Sequence, residues 1–89
     1  MTWKVVWKAE AERQLAVLWT AARDRSRMAS AAYEIDLQLQ TDPNEQGESR
    51  DEGRRILLVP PLAALFTVRA ERNVVVVVAI WSFEKPAVD

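Results

Sequence analysis

Residues 54–83 read RRILLVPPLAALFTVRAERNVVVVVAIWSF, and this stretch decides the fold. Two breaks divide it into three apolar runs: Pro60-Pro61, and the short polar step at residues 70–72. The first two runs, residues 54–59 and 62–69, have strand length and are rich in branched aliphatic residues. Proline cannot donate to a strand ladder, so the pair at 60–61 places the end of the first run at an edge or a turn. The third run, residues 73–83, does not alternate. Five consecutive valines followed by Ala79, Ile80 and Trp81 predict a strand buried on both faces in the middle of a sheet.

Upstream, residues 43–53 have loop composition and hold both glycines of the chain. Before them lie two stripes of helical period. Ala11, Leu15, Leu18, Trp19 and Ala22 share one face, with Glu10 and Glu12 in a first turn where the helix dipole favours anions. Arg23 and Arg25 close this helix with the charge its C-terminus prefers. Met28, Ala32, Ile35 and Leu39 form a second stripe, with Ser26 as the expected cap and Asp42-Pro43 as the stop. The joint at residues 24–26 is short, which predicts an antiparallel helical hairpin. At the start, residues 2–8 alternate: Trp3, Val5 and Trp7 point one way, Lys4, Val6 and Lys8 the other, as in a strand with one buried face.

The expected order is therefore β-α-α-β-β-β. It predicts an α+β fold with a helical hairpin on one face of a small, mainly antiparallel, four-stranded sheet. Eighty-nine residues make one domain, 1–89, with residues 84–89 as a frayed tail.

Composition excludes several chemistries. The chain has no cysteine and no histidine, which rules out disulfides, thiol nucleophiles, Cys/His zinc sites and histidine acid–base catalysis. No Gly-Lys pair precedes a helix, so a phosphate-cradling loop is absent and no nucleotide or other cofactor is expected. The carboxylate pairs Glu10/Glu12 and Glu34/Asp36 stand two apart on helices, point to different sides, and fit a solvated surface better than a metal site. The longest apolar run falls far short of the ~20 residues that span a bilayer, and the N-terminus lacks a signal-peptide pattern. Without cysteines as well, the expected location is the cytosol, with no membrane contact.

Net charge is −1, yet residues 50–72 hold five arginines against three acids. Arg54 and Arg55 are adjacent on a strand and must face opposite sides. If the two runs around the prolines form a hairpin, Arg69 returns beside them, with Arg50 just upstream. These four arginines are the candidate site: a cationic spot for a phosphate backbone or an acidic partner. Edge protection and ion pairing with Asp51, Glu52 or Glu71 would also account for them. Four tryptophans suggest core packing, with a partner-binding anchor as the alternative for any ring the helices leave bare.

Taken together, the opening Trp3-Lys4-Val5-Val6-Trp7 running into Ala9-Glu10-Ala11-Glu12-Arg13-Gln14-Leu15, the helix end at Asp42-Pro43, Arg54-Arg55-Ile56-Leu57, the 61–68 strand and the valine strand ending Ala79-Ile80-Trp81 resemble the RelE/ParE superfamily. Its members are bacterial toxins of type II toxin–antitoxin (plasmid stabilisation) modules. The resemblance implies a microbial RNase-type fold, a cognate antitoxin as partner, and one of two targets: ribosome-bound mRNA, which RelE-like members cleave, or DNA gyrase, which ParE-like members inhibit. RelE-like members typically open the third strand with Tyr-Arg and end it on an aromatic residue. Here Ala63 stands for the arginine and Phe66 lacks a hydroxyl, while the last strand ends Trp81-Ser82-Phe83. Cleavage of RNA needs a base, an acid and a phosphate stabiliser, and only the last has candidates. The expected function is that of a ParE-like, non-catalytic toxin. An mRNA interferase with an atypical catalytic set and a non-toxic interaction module of the same fold remain as alternatives.

Overall fold

In a computed structural model the structure describes residues 2–83; the expected tail at 84–89 lies outside them. The chain opens with β1 (Lys4–Trp7), then α1 (Ala9–Ala21) and α2 (Arg25–Thr41). A short strand β2 (Glu48–Ser49) follows, then β3 (Arg54–Val59), β4 (Leu62–Arg69) and β5 (Val74–Ser82). The sheet has five strands in the order β1-β5-β4-β3-β2.

The α+β expectation holds, and the valine strand lies inside the sheet, between β1 and β4. Two features differ from the sequence reading. The 43–53 loop contains β2, which pairs antiparallel with β3 through Glu48↔Ile56 and Ser49↔Arg55, so the sheet has five strands and not four. Gly47 makes that pairing possible: with φ +68, its backbone approaches Ile56 so closely that a Cβ would lie 2.1 Å from the Ile56 carbonyl oxygen. The sheet is also mixed. β1 runs parallel to β5 (Lys4↔Val74 to Trp7↔Val77), whereas β3, β4 and β5 form an antiparallel meander.

Both helices cover one face. Beneath them Leu57, Leu62, Ala64, Phe66, Val75, Val77 and Ile80 pack with Ala11, Met28, Ala31, Ile35 and Leu39. Phe66, Ile35, Leu39, Leu62, Val75 and Val77 are wholly enclosed, and each such side chain contributes about 1.5–3 kcal/mol through burial. β5 is not buried on both sides as its composition suggests. Val75 and Val77 lie in the core, while Val74, Val76 and Val78 are half-buried on a face with no second layer of helices.

Local interactions fix the element boundaries. Asp24, not Ser26, caps α2: its side chain accepts the Arg27 N–H at 2.9 Å. Arg25 then reaches back, donating to the carbonyls of Trp19 and Thr20 at the end of α1 and stacking 4.7 Å over the Trp19 ring. This satisfies exposed carbonyls of the α1 C-terminus and draws the start of α2 towards it. β1 is tied to α2 by Trp3 N–H donating to the Gln40 carbonyl at 2.9 Å and by Trp7 Nε1–H to Asp36. β5 outruns β1, and the Ile80 N–H beyond the end of β1 donates to Gln14 Oε1 of α1 at 2.8 Å. Asn73, with φ 52, completes the turn into β5, a left-handed position that asparagine tolerates.

Candidate functional site

Side chains alternate across a strand, so the residues between the core positions form the opposite, helix-free face. The registers align them in rows. At one end Lys4, Val74 and Arg69 lie side by side, followed by Val6, Val76, Thr67 and Arg54. Further along come Ala79, Leu65 and Ile56, and at the far end Trp81, Ala63 and Leu58. A register shift between Leu65 and Phe66 lets the valine strand keep Ile80 in the core while Trp81 faces outwards. This face is cationic at one end and apolar at the other. Leu58 is 59% exposed, and Val6, Trp81 and Phe83 are exposed as well.

The four candidate arginines do not act as one group. Arg54 and Arg69 share the open face: Arg54 pairs with Thr67, and Arg69 stands two residues further along β4. Arg54 makes an ion pair with Glu52 at 3.5 Å. Arg69 is exposed and has no side-chain partner among the described residues. Arg50 sits at the rim, paired with Glu48 at 3.1 Å, and its N–H closes the turn onto the Arg54 carbonyl. Arg55 belongs to the other face. Its guanidinium donates to the carbonyls of Gln46 (2.8 Å) and Gly47 (3.1 Å), so it holds the segment leading into β2.

Sequence reasoning missed Lys4 as a neighbour of Arg69. Only the parallel pairing of the first strand with the last brings them to either side of Val74, and no local pattern announces it. Leu58 and Trp81 were legible only as apolar strand residues. The tryptophans divide evenly: Trp3 and Trp7 pack against the core, and Trp19 and Trp81 are exposed.

A second feature lies on the helical side. An apolar groove of about 580 Å³ runs between the helices, walled by Trp7, Leu15 and Trp19 and floored by Ala16, Ala29 and Ala32.

Guanidinium and ammonium groups around an apolar strip can hold carboxylates or phosphates while the strip buries apolar anchors. Among the described residues no polar or charged side chain is buried, and no group of three or more carboxylates converges as metal ligands. Ala63 and Phe66, the two departures from the Tyr-Arg and closing aromatic residue expected from the resemblance, are both fully enclosed. No helix among the described residues is long and apolar enough to cross a membrane.

This arrangement, a helical pair on one face of a mixed sheet whose first and last strands lie together, is the RelE/ParE toxin fold. No protein-family model matches the sequence, and no curated protein does. Solved structures do. A chain of the toxin–antitoxin complex RelBE2 from Mycobacterium tuberculosis superposes with a TM-score of 0.75 at 21% identity, over 92% of this chain and 99% of that one. The chromosomal ParDE TA system from P. aeruginosa gives 0.66 at 19% identity, over 93% and 98%. A mutant of the E. coli toxin RelE in the free state gives 0.65 at 16% identity, over 94% and 86%.

Proposed function

We propose that this chain is the toxin of a bacterial type II toxin–antitoxin module, acting in the cytoplasm and neutralised by a cognate antitoxin. Its mode of action is ParE-like: it binds a large target such as DNA gyrase and does not cut RNA. The observation that carries this reading is the open sheet face. It offers Lys4, Arg54 and Arg69 for electrostatic recognition and Leu58 and Trp81 as apolar anchors, while on β4, where RelE-like members typically carry Tyr-Arg and a closing aromatic residue, this chain holds the enclosed Ala63 and Phe66. A binding surface of this composition, with cations around an apolar strip, suits recognition of a macromolecule.

The antitoxin would lay an acidic, apolar segment across the same face, with charge governing the association rate and buried apolar contacts most of the affinity. The test is induced expression with and without the neighbouring gene. Growth arrest relieved by that gene, gyrase supercoiling inhibited by the purified protein, and intact ribosome-bound mRNA are the expected results. Codon-associated mRNA cleavage would establish the RelE-like alternative, and absence of arrest the interaction module.

A further inference from the structure

We infer that the outer edge of β1 is a docking site for an extended segment of another protein, one that carries two acidic residues spaced as Lys4 and Lys8 are, with apolar residues between. Lys4 and Lys8 N–H groups donate to the carbonyls of Asn73 and Val77 at 3.0 Å, so by the alternation of a parallel ladder the backbone groups of Trp3, Val5 and Trp7 point away from the sheet. The Trp3 N–H is taken by Gln40 of α2. The N–H groups of Val5 and Trp7 have no partner among the described residues. A row of unpaired donors and acceptors along a strand matches another strand, which specifies the occupant as extended backbone.

The side chains specify its character. Lys4 and Lys8 flank Val6 on the open face of this edge, and neither has a carboxylate partner among the described residues. Residues of an added strand opposite them gain by being acidic. Those opposite Val5 and Trp7 turn towards the helical face, where Trp7 forms one wall of the apolar groove, and gain by being apolar. A second copy of this chain is the wrong occupant: fully overlapping antiparallel pairing of two β1 edges sets Lys4 against Lys8 of the copy, and like charges directly opposite each other repel. The other sheet edge is only the two residues of β2, flanked by the Arg50–Glu48 and Arg54–Glu52 pairs, and is protected in the usual way. The inference needs the fold alone and stands whether or not expression of the chain arrests growth.

The probe is the blocked peptide Glu-Val-Thr-Val-Glu, which presents the same pattern in either direction, titrated into the full chain by NMR with amide hydrogen exchange. Bound peptide should slow exchange at the Val5 and Trp7 amides. Methylating its alternate amide nitrogens should abolish binding in at least one of the two registers. Replacing Lys4 and Lys8 together by Glu should weaken binding about tenfold, two attractive pairs becoming repulsive. Replacing both peptide Glu residues by Lys should do the same against the unaltered protein, a result that requires no protein variant to fold. Absent binding, binding without protection at Val5 and Trp7, or indifference to peptide charge would each overturn the inference. Protection of those amides without peptide, together with a dimer in light scattering, would assign the edge to a second copy and overturn it too.

Discussion

Gly47→Ala tests whether the short strand β2 is held by backbone contact. Two effects act at this position. The backbone has φ +68, where a non-glycine residue costs about 1–2 kcal/mol. The new Cβ would also lie 2.1 Å from the Ile56 oxygen and 2.7 Å from its carbonyl carbon, and neither can rotate away as a side chain would. Regaining ordinary contact needs a separation greater by more than ~1 Å, beyond what a ladder hydrogen bond spans. The cheapest relief is for β2 to leave β3. That also breaks the bonds from Arg55 to Gln46 and Gly47, and each bond from a charged donor contributes about 1.5–3 kcal/mol. Because the loss is confined to the 46–50 segment, it cannot exceed what docking of β2 contributes. We expect a total of about 2–4 kcal/mol for Gly47→Ala. Gly53 supplies the control. It has φ +73, but a Cβ there meets nothing within 4 Å, so Gly53→Ala should cost only about 1–2 kcal/mol. The assay is urea unfolding of both variants, with amide exchange at residues 48–49 and 55–56 to localise the change. Equal destabilisation by the two substitutions, or unchanged exchange at β2 in Gly47→Ala, would refute the reasoning.

The buried N–H of Ile80 depends on Gln14, so Gln14→Leu should destabilise the fold by about 1–3 kcal/mol in denaturant titration, whereas Gln14→Glu keeps an acceptor and should lose less. Asp24→Ala removes the α2 cap and should lower stability by about 1 kcal/mol, while Ser26→Ala should stay within about 0.5 kcal/mol of the unaltered chain. Arg55→Glu should expose the 46–47 segment to proteolysis, because it breaks two bonds to that segment. By contrast, Arg54→Glu with Arg69→Glu should leave proteolysis unchanged and slow association of the neighbouring gene product at low ionic strength, as followed by binding kinetics. An unchanged association rate would return Arg54 and Arg69 to the role of solvated edge charges.

Strands β3 and β4 were legible to the residue because strong signals surround them: the proline pair ends one, and the polar step at 70–72 ends the other. β2 was not legible. Two polar residues make no hydrophobic period, and the strand exists only because Gly47 lets one backbone approach another at long range. The α2 cap was misplaced by two positions because Asp24 and Ser26 are both good caps by residue type. The hydrogen bonds of Arg25 to the end of α1 favour the earlier start: the arginine expected at the α1 C-terminus meets those carbonyls from the first residue of α2. The valine run predicts burial on both faces because an unbroken apolar run has no alternation from which to tell one covered face from two. The site fared likewise. Adjacency on β3 correctly put Arg54 and Arg55 on opposite faces, while the separation of Arg55 into a structural role depended on tertiary contacts with the 46–47 segment. Lys4 joined the site through a pairing across seventy residues.

That pairing also governs the order in which the molecule can be built during synthesis. β1 is made before every other strand of this sheet, yet its ladder partner is β5, the last of them. A nascent chain that already carries both helices therefore has an unclosed sheet, with Trp3, Val5 and Trp7 on a strand whose ladder partner is still missing. Closing so long a loop is entropically demanding and ties assembly to a contact of high sequence separation. β5 also contacts β4 on its other side, so its arrival joins the amino-terminal strand to the meander in one step. Any activity of the open face that needs Lys4 beside Arg69 is thereby withheld until translation has passed the valine strand, a timing written into the strand order itself.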